Sequence, residues 1–490
     1  MISNIKLINR FSSRSPQSLF LVHHYPFSNN SNIKINNNKR YLSSSTMNTT
    51  TIDKPFTVIG IETSCDDTSV GIVDSSGKIL GEYKVSQWNL HKVHNGIVPT
   101  IASKAHKEVI DQVVEGALEN ASMKIEDVDV IAVTVGPGMA HSLEVGVKKA
   151  SQLAIKYKKP FCSVNHLEGH SLVARLNQPH IEFPFFTILI SGGHTQLLIC
   201  HGVSNYTLLG TTCDDSIGEA LDKAARIIDC RFGEVFDGEK IISNIHGGQA
   251  IEILAEKGNP SIYPFNVPML NSGNCDFSFS GLKSELQRRV GKIKQTNTAD
   301  ERPLTLQEQQ DFAASFQECA FKHLENKVTR ALNWYYNKPM GSKKTKAAIA
   351  KKNKLKEQDE QQQPETIEKA PLKGIVVSGG VAQNQKLRKQ LESISKKFRL
   401  PLYFPPTSLC TDNGTMIAWA GVEMYRNKMT SNPETVFYIP VWPLDKNNNQ
   451  NQFFKSTLKE KEQEIRKGWY NNVVNMFNKN DGDVNNKKDE

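Results

Sequence analysis

No Cys-x-x-Cys pair occurs anywhere in the 490 residues, and the eight cysteines are scattered singly. That argues against a zinc ribbon or a disulfide scaffold and fits a reducing compartment. No stretch approaches the length and apolarity of a transmembrane helix, so no membrane span is expected. Acidic residues are missing from positions 1–52, where Lys6, Arg10, Arg14, Lys34, Lys39 and Arg40 stand among Ser and Asn. This is the composition of an organelle transit peptide; the competing interpretation is an Asn-rich disordered extension with no address. Large apolar side chains are scarce in residues 337–371, a Lys-rich and then Gln- and Glu-rich stretch expected to be a disordered insertion. Residues 441–490, rich in Asn, Lys and Asp, are expected to form a polar tail with one helix near residues 458–476. The net charge of +9 permits an RNA partner without arguing for one.

Against these absences stands Ser163-Val164-Asn165-His166-Leu167-Glu168-Gly169-His170. Asn165 is a good N-cap and Glu168 falls three residues later, so a capping box is expected to start a helix at His166. His166 and His170, four apart, then share one face. The positive end of the helix dipole disfavours imidazolium and leaves a lone pair for a metal, although two hydrogen-bonded, partly buried histidines fit the stretch as well. A third ligand has to come from elsewhere. Asp412, in Thr411-Asp412-Asn413-Gly414 ahead of an apolar helix, suits that role and equally suits an N-cap.

The rest of the chain alternates apolar strands with small-residue turns. Residues 56–61 and 69–73 read as strands around Glu62-Thr63-Ser64-Cys65-Asp66-Asp67-Thr68. Residues 183–190 and 196–200 repeat the plan around Ser191-Gly192-Gly193-His194-Thr195. A third turn, Ser378-Gly379-Gly380, joins a strand at 374–377 to a helix at 381–394, with Asn384 expected in its first turn and aimed at the cleft. Such turns present converging backbone N–H groups to phosphate oxygens. Residues 128–135 read as a buried strand leading through Gly136-Pro137-Gly138 into a helix. Residues 214–229 read as a helix whose small face, Gly218, Asp222 and Ala225, lets a ligand approach while Asp222 accepts from hydroxyls; a solvated surface aspartate is the plain alternative. Gly247-Gly248, with Glu252 a turn later, reads as turn then helix. The repetition implies an α/β fold of duplicated architecture with a nucleotide cleft between two lobes.

Taken together, Gly60-Ile61-Glu62-Thr63-Ser64-Cys65-Asp66-Asp67-Thr68, Gly136-Pro137-Gly138, His166-x-Glu168-Gly169-His170, Ser191-Gly192-Gly193-His194-Thr195, Asp276-Phe277-Ser278-Phe279-Ser280-Gly281-Leu282-Lys283, Ser378-Gly379-Gly380-Val381 and Thr411-Asp412-Asn413 resemble the motifs of the tRNA N6-adenosine threonylcarbamoyltransferases. The transit-like N-terminus is most similar to the mitochondrial branch. The resemblance implies an actin-like (ASKHA, sugar-kinase-type) two-lobe fold, with an N-terminal lobe at residues 54–180 and a C-terminal lobe at 181–440. It implies a mitochondrial matrix location, one divalent metal ion (iron or zinc), tRNA as a partner and a homodimer. The implied reaction transfers the threonylcarbamoyl group from threonylcarbamoyl-adenylate to N6 of adenosine 37 in tRNAs that read ANN codons.

By position, the resemblance makes His166, His170 and Asp412 the metal ligands. It makes Ile190, Ser191, Gly192, Gly193, His194, Asp222, Gly248, Glu252, Gln383, Asn384 and Thr411 substrate contacts, with no catalytic residue separate from these. Two departures stand out: Thr100 and Lys104 occupy positions where many relatives carry Glu and Arg, and the 337–371 insertion is long. A metalloprotease is disfavoured because it wants His-Glu-x-x-His, whereas Glu168 comes two residues after His166. An actin-like kinase or ATPase shares the cleft but has no use for the histidine pair and Asp412. A non-catalytic tRNA-binding paralog is the remaining alternative.

Overall fold

The computed structural model describes residues 54–94, 96–230, 233–295, 302–336 and 370–445. The expected transit peptide, nearly all of the insertion and the tail after Asp445 lie outside these residues.

The first sheet is built from β1 (Thr57–Glu62), β2 (Asp67–Asp74), β3 (Ile79–Ser86), β4 (Val130–Gly136) and β5 (Phe161–Asn165), in the order β3-β2-β1-β4-β5. β1 runs antiparallel to β2 and parallel to β4, and β5 is parallel to β4. Between these strands come α1 (Trp88–Lys92), α2 (Pro99–Asn120) and α3 (Ala140–Tyr157), and α4 (His166–Leu172) and α5 (Ala174–Asn177) follow. The second sheet repeats the plan. β6 (Phe185–Ile190), β7 (Thr195–Gly202) and β8 (Asn205–Thr211) form a meander. After α6 (Ile217–Ile227), the hairpin β9 (Glu234–Phe236) and β10 (Ile241–Ser243), α7 (Gly247–Ala255), α8 (Ser280–Lys294) and α9 (Leu306–Tyr335), β11 (Ile375–Ser378) joins β6 in parallel. α10 (Gln385–Phe398) and β12 (Leu402–Tyr403) complete the order β12-β11-β6-β7-β8. Each sheet thus has a central strand with an antiparallel hairpin on one side and parallel strands on the other, which is the duplicated actin-like plan.

The edge strands β3 and β8 are partly exposed, while the inner strands β1, β4, β6 and β11 are buried on both faces, which is why they read as unbroken apolar runs. Period two divides them: Ile59, Ile61, Ile131 and Val133 pack under α2 and α3, while Val58, Val130 and Ala132 face inward. In the second sheet Phe186, Ile188 and Ile190 pack under α6 to α10, and Phe185 and Leu189 face inward. Slipping either sheet by one residue would exchange these sets, and each large side chain is worth about 2 kcal/mol buried rather than exposed, so the register is firmly set.

The space between the sheets holds α4 and the last helix, α11 (Gly414–Arg426), whose residues 414–424 are all buried. A helix apolar all round belongs inside. It packs so closely on β1 that a Cβ at Gly60 would lie 2.1 Å from the Ala418 nitrogen. A division at residue 180 therefore misplaces α11, which is late in sequence but lies on the first sheet. The packed chain also runs past the point where a polar tail was expected to begin. Leu444 is buried, and Asp445 accepts from the Leu208 N–H at 3.0 Å. No helix among the described residues is long and apolar enough to cross a membrane.

Candidate metal centre and adjoining cleft

α4 begins at His166 because the Asn165 side chain accepts from the Leu167 N–H at 2.9 Å. The expected reciprocal bond from Glu168 is not made. Glu168 instead accepts from Ser204 N–H and, at 3.0 Å, from Ser204 Oγ, which ties the opposite face of α4 to the β7–β8 turn. The two histidines are left on the other face, both buried, with ring centroids 4.8 Å apart.

Asp412 meets them from the far end of the chain. It does not cap α11: Asn413 does, accepting from Met416 N–H at 2.7 Å. Asp412 Oδ1 is free to lie 3.0 Å from His170 Nε2 and 3.5 Å from His166 Nε2. Ligand atoms of the three residues fall within 4.8 Å of one another, the one such cluster among the described residues.

Behind His166 stands Glu62, at the buried end of β1. His166 Nδ1 donates to Glu62 Oε2 at 3.0 Å, and Glu62 is held in turn by Ser64 N–H and Thr134 Oγ1, each at 2.5 Å. A carboxylate on Nδ1 fixes the tautomer that turns the Nε2 lone pair toward a metal. His170 has no such support: its Nδ1 is buried and meets no hydrogen-bond partner among the described residues.

The helix dipole alone predicts neutral imidazoles, but nearby carboxylates outweigh it at His166. Burial opposes its charge, yet Asp412 and Glu62 hold the imidazolium well above the ordinary histidine value. Burial also opposes ionisation of Asp412, and the two histidines overcome it, keeping its carboxyl well below the usual range. The pocket thus attracts positive charge even without a metal. Two imidazole nitrogens and a carboxylate oxygen converging on one point, with an outer carboxylate behind, fit a divalent cation.

The adjoining cleft is assembled from the glycine turns. Ser191 Oγ accepts from His194 N–H at 3.1 Å and folds the turn, leaving Gly192 and Gly193 exposed. Burial, and then the charges of His166 and His170, lower His194 to about 4, so its ring is neutral near pH 7. The start of α6 rests on this turn: Ser216 Oγ donates to the Gly192 carbonyl, and a Cβ at Gly218 would come within 2.5 Å of the Ser191 carbonyl. Gly379, at φ +99°, abuts the Ile190 carbonyl, and Thr411 lies beside Gly380. Further along, Asp222 Oδ1 accepts from Gly248 N–H at 2.8 Å, Glu252 from Gln385 N–H at 2.7 Å, and Gln383 donates to the Thr407 carbonyl at 3.1 Å. Burial pushes both Asp222 and Glu252 up.

Asn384 departs from expectation. It is the N-cap of α10, with its side-chain oxygen accepting from Leu387 N–H at 3.0 Å. Two other residues escaped the sequence reading. Glu62 could have been suspected as a carboxylate closing an apolar strand. Asp214, outside α6, accepts from Ser278 Oγ, Ser280 Oγ and Phe279 N–H, and so explains the serines of the 276–283 motif as a clasp on the start of α8.

The chain is similar to several known proteins. The family model TsaD, tRNA N6-adenosine threonylcarbamoyltransferase, matches residues 78–419. The probable mitochondrial tRNA N6-adenosine threonylcarbamoyltransferase of Arabidopsis thaliana is 37% identical over 407 residues, covering 80% of this chain and 75% of its own. The tRNA N6-adenosine threonylcarbamoyltransferase of Brucella anthropi is 38% identical over 394 residues, covering 79% and 95%. Among solved structures, component A of the Acidaminococcus fermentans (R)-2-hydroxyglutaryl-CoA dehydratase covers 75% of this chain and 98% of its own at 14% identity, with a TM-score of 0.40. On the family model and these two sequence relatives, the chain belongs to the tRNA N6-adenosine threonylcarbamoyltransferase family.

Proposed function

We propose that the protein transfers the threonylcarbamoyl group from threonylcarbamoyl-adenylate to N6 of adenosine 37 in tRNAs reading ANN codons. The observation that carries this is the junction of a three-ligand pocket, His166, His170 and Asp412, with the Ser191 to His194 turn in one cleft of a chain of this family. In the transfer, N6 forms a bond to the carbamoyl carbon, the bond from that carbon to the adenylate phosphate oxygen breaks, N6 gives up a proton and AMP departs.

A divalent metal held by His166, His170 and Asp412 would supply Lewis-acid polarisation of the threonylcarbamoyl group. The protein's own residues do the rest. The N–H of the exposed Gly192 suits the phosphate and the charge that grows on it as AMP leaves, while the Gly193 N–H donates to Ser191 Oγ at 3.3 Å and holds the turn in shape. Asp222, Gly248 and Glu252 suit the adenosine hydroxyls and base edge. An arylamine such as N6 is a weak nucleophile, so its placement on the folded tRNA supplies much of the acceleration. Iron and zinc both suit the donor set, and metal analysis of purified protein decides between them. The same reading has the chain act as a homodimer, without accessory subunits, in the mitochondrial matrix. The mitochondrial relative and the acid-free N-terminus support that location. Residues 1–46 fused to a fluorescent protein should carry it to mitochondria; a fusion that stays cytosolic refutes the address.

The decisive test supplies freshly made threonylcarbamoyl-adenylate and a tRNA whose adenosine 37 follows a uridine. Threonylcarbamoyladenosine and AMP should both form. Transfer that requires ATP at this step would instead favour a kinase-like enzyme, and tRNA binding without transfer would favour an inert paralog.

A further inference from the structure

One aromatic contact joins the two halves of the molecule at the cleft, outside the sites described so far. Trp88 opens α1, directly after β3. Its segment is anchored to the first half: Gln87 N–H donates to the Asp66 carbonyl in the β1–β2 turn at 3.3 Å, and Gln87 Nε2 to the Ala102 carbonyl at 3.3 Å. The buried His91 holds the segment's far side by accepting from Val98 N–H at 3.3 Å.

The indole itself touches the second half. It meets the His246 ring edge to face, with centroids 4.6 Å apart and planes at 78°. It also abuts Gly233, where an added Cβ would lie 3.2 Å from Nε1, tight enough that the ring would have to shift by a few tenths of an ångström. His246 is the N-cap residue of α7, immediately before Gly247 and Gly248, and Gly248 N–H is the group that Asp222 holds. Core packing does not demand this contact. Trp88 is half-buried, His246 is exposed, and neither belongs to the three apolar clusters that hold the sheets and helices together.

We propose that Trp88 is a positioning residue: with His246 it clasps the two halves closed over the adenosine end of the cleft. This rests on the reading that the adenylate lies against Asp222 and Gly248. A ligand held between two halves binds in proportion to the fraction of molecules already closed. An aromatic pair of this geometry biases closure enough to change affinity about 2- to 10-fold. The metal ligands lie elsewhere, so metal content should not respond.

The test is AMP affinity by titration calorimetry for wild type, Trp88→Ala, His246→Ala and the double variant, with metal content and melting temperature measured on each. Each single substitution should raise the Kd about 2- to 10-fold. The double should be no worse than the poorer single, because one contact cannot be lost twice. Val93→Ser, on the exposed side of the same segment, is the control and should bind as wild type. Unchanged single variants, effects that multiply in the double, or an equal effect from Val93→Ser each overturn the clasp. Should Trp88→Ala fail to fold, His246→Ala carries the test, since removing an exposed ring leaves every core intact. Asp222→Ala separates the two levels. AMP binding that ignores Asp222→Ala overturns the cleft reading itself, whereas binding weakened by Asp222→Ala but not by His246→Ala overturns only the clasp.

Discussion

The metal pocket and the cleft beside it are built on opposite principles. His166 and Glu62 are buried and cross-braced, with Glu62 receiving bonds from Ser64, Thr134 and His166, while the buried His170 meets Asp412 through Nε2 and its Nδ1 has no hydrogen-bond partner among the described residues. The cleft is lined by exposed glycines and by carboxylates that each hold one backbone N–H, Asp222 to Gly248 and Glu252 to Gln385. A braced, largely buried pocket fixes a cation's geometry and gives steep responses to substitution. An open cleft of single bonds gives graded ones, as suits a site that must admit an adenylate and release AMP each turnover.

The largest effects should therefore come from the pocket. His170→Ala and Asp412→Ala remove a ligand, and each should yield folded protein with little bound metal and transfer lowered by more than about 100-fold, beyond the usual cost of an outer-sphere change. Full metal occupancy in both variants would sink the assignment. Glu62→Gln keeps the shape but removes the charge behind His166 and should weaken metal affinity about 10- to 100-fold, read by chelator competition.

Acidity offers a second view of the same pocket. In the metal-free protein the folded His166 value is raised, so its imidazolium contributes stability below the unfolded value near 6.5. That contribution is lost as pH rises through the higher folded value. Metal binding must displace this proton, so metal affinity should move the other way and climb over the same range. Glu62→Gln should shift both curves to lower pH. Curves that stay in place would mean Glu62 does not govern the His166 proton.

What could be read from sequence follows the same divide between local and distant partners. Strands β1, β2, β4, β6, β7 and β11 were legible because their apolar runs are nearly uninterrupted, whereas β3 and β8, partly exposed edge strands with polar residues interleaved, and the short β5, β9, β10 and β12 gave no such signal. The start of α4 was legible because Asn165 caps a residue two positions away. Glu168 was misjudged because its partner, Ser204, lies 36 residues off in a hairpin. Glu62 was missed because His166 lies 104 residues away, and Asp214 because Ser280 lies 66 residues away. The placement of α11 on the first sheet could not be inferred from order along the chain, since nothing in an apolar helix names the sheet it covers. The resemblance to a family supplied the His166, His170 and Asp412 set, and the spacing of the histidines supplied only its first two members.

The cleft should give the smallest effects, and there two residues that sequence treats alike should behave differently. Asp222 holds one N–H of the α7 turn and is otherwise available to a ligand, so Asp222→Ala should weaken AMP binding about 10-fold with metal content unchanged, the scale of a lost hydrogen bond to a charged group. Asn384 spends its side-chain oxygen on its own helix. Removing that cap should cost about 1 kcal/mol of stability, visible as a lower melting temperature in the absence of any nucleotide. Asn384→Asp and Asn384→Ser retain the capping oxygen and should recover most of that loss. They separate the two roles of the residue: if AMP affinity returns with stability, Asn384 acts by fixing α10. If stability returns and affinity does not, its amide touches the adenylate directly, and the cleft is more closely fitted than its single bonds suggest.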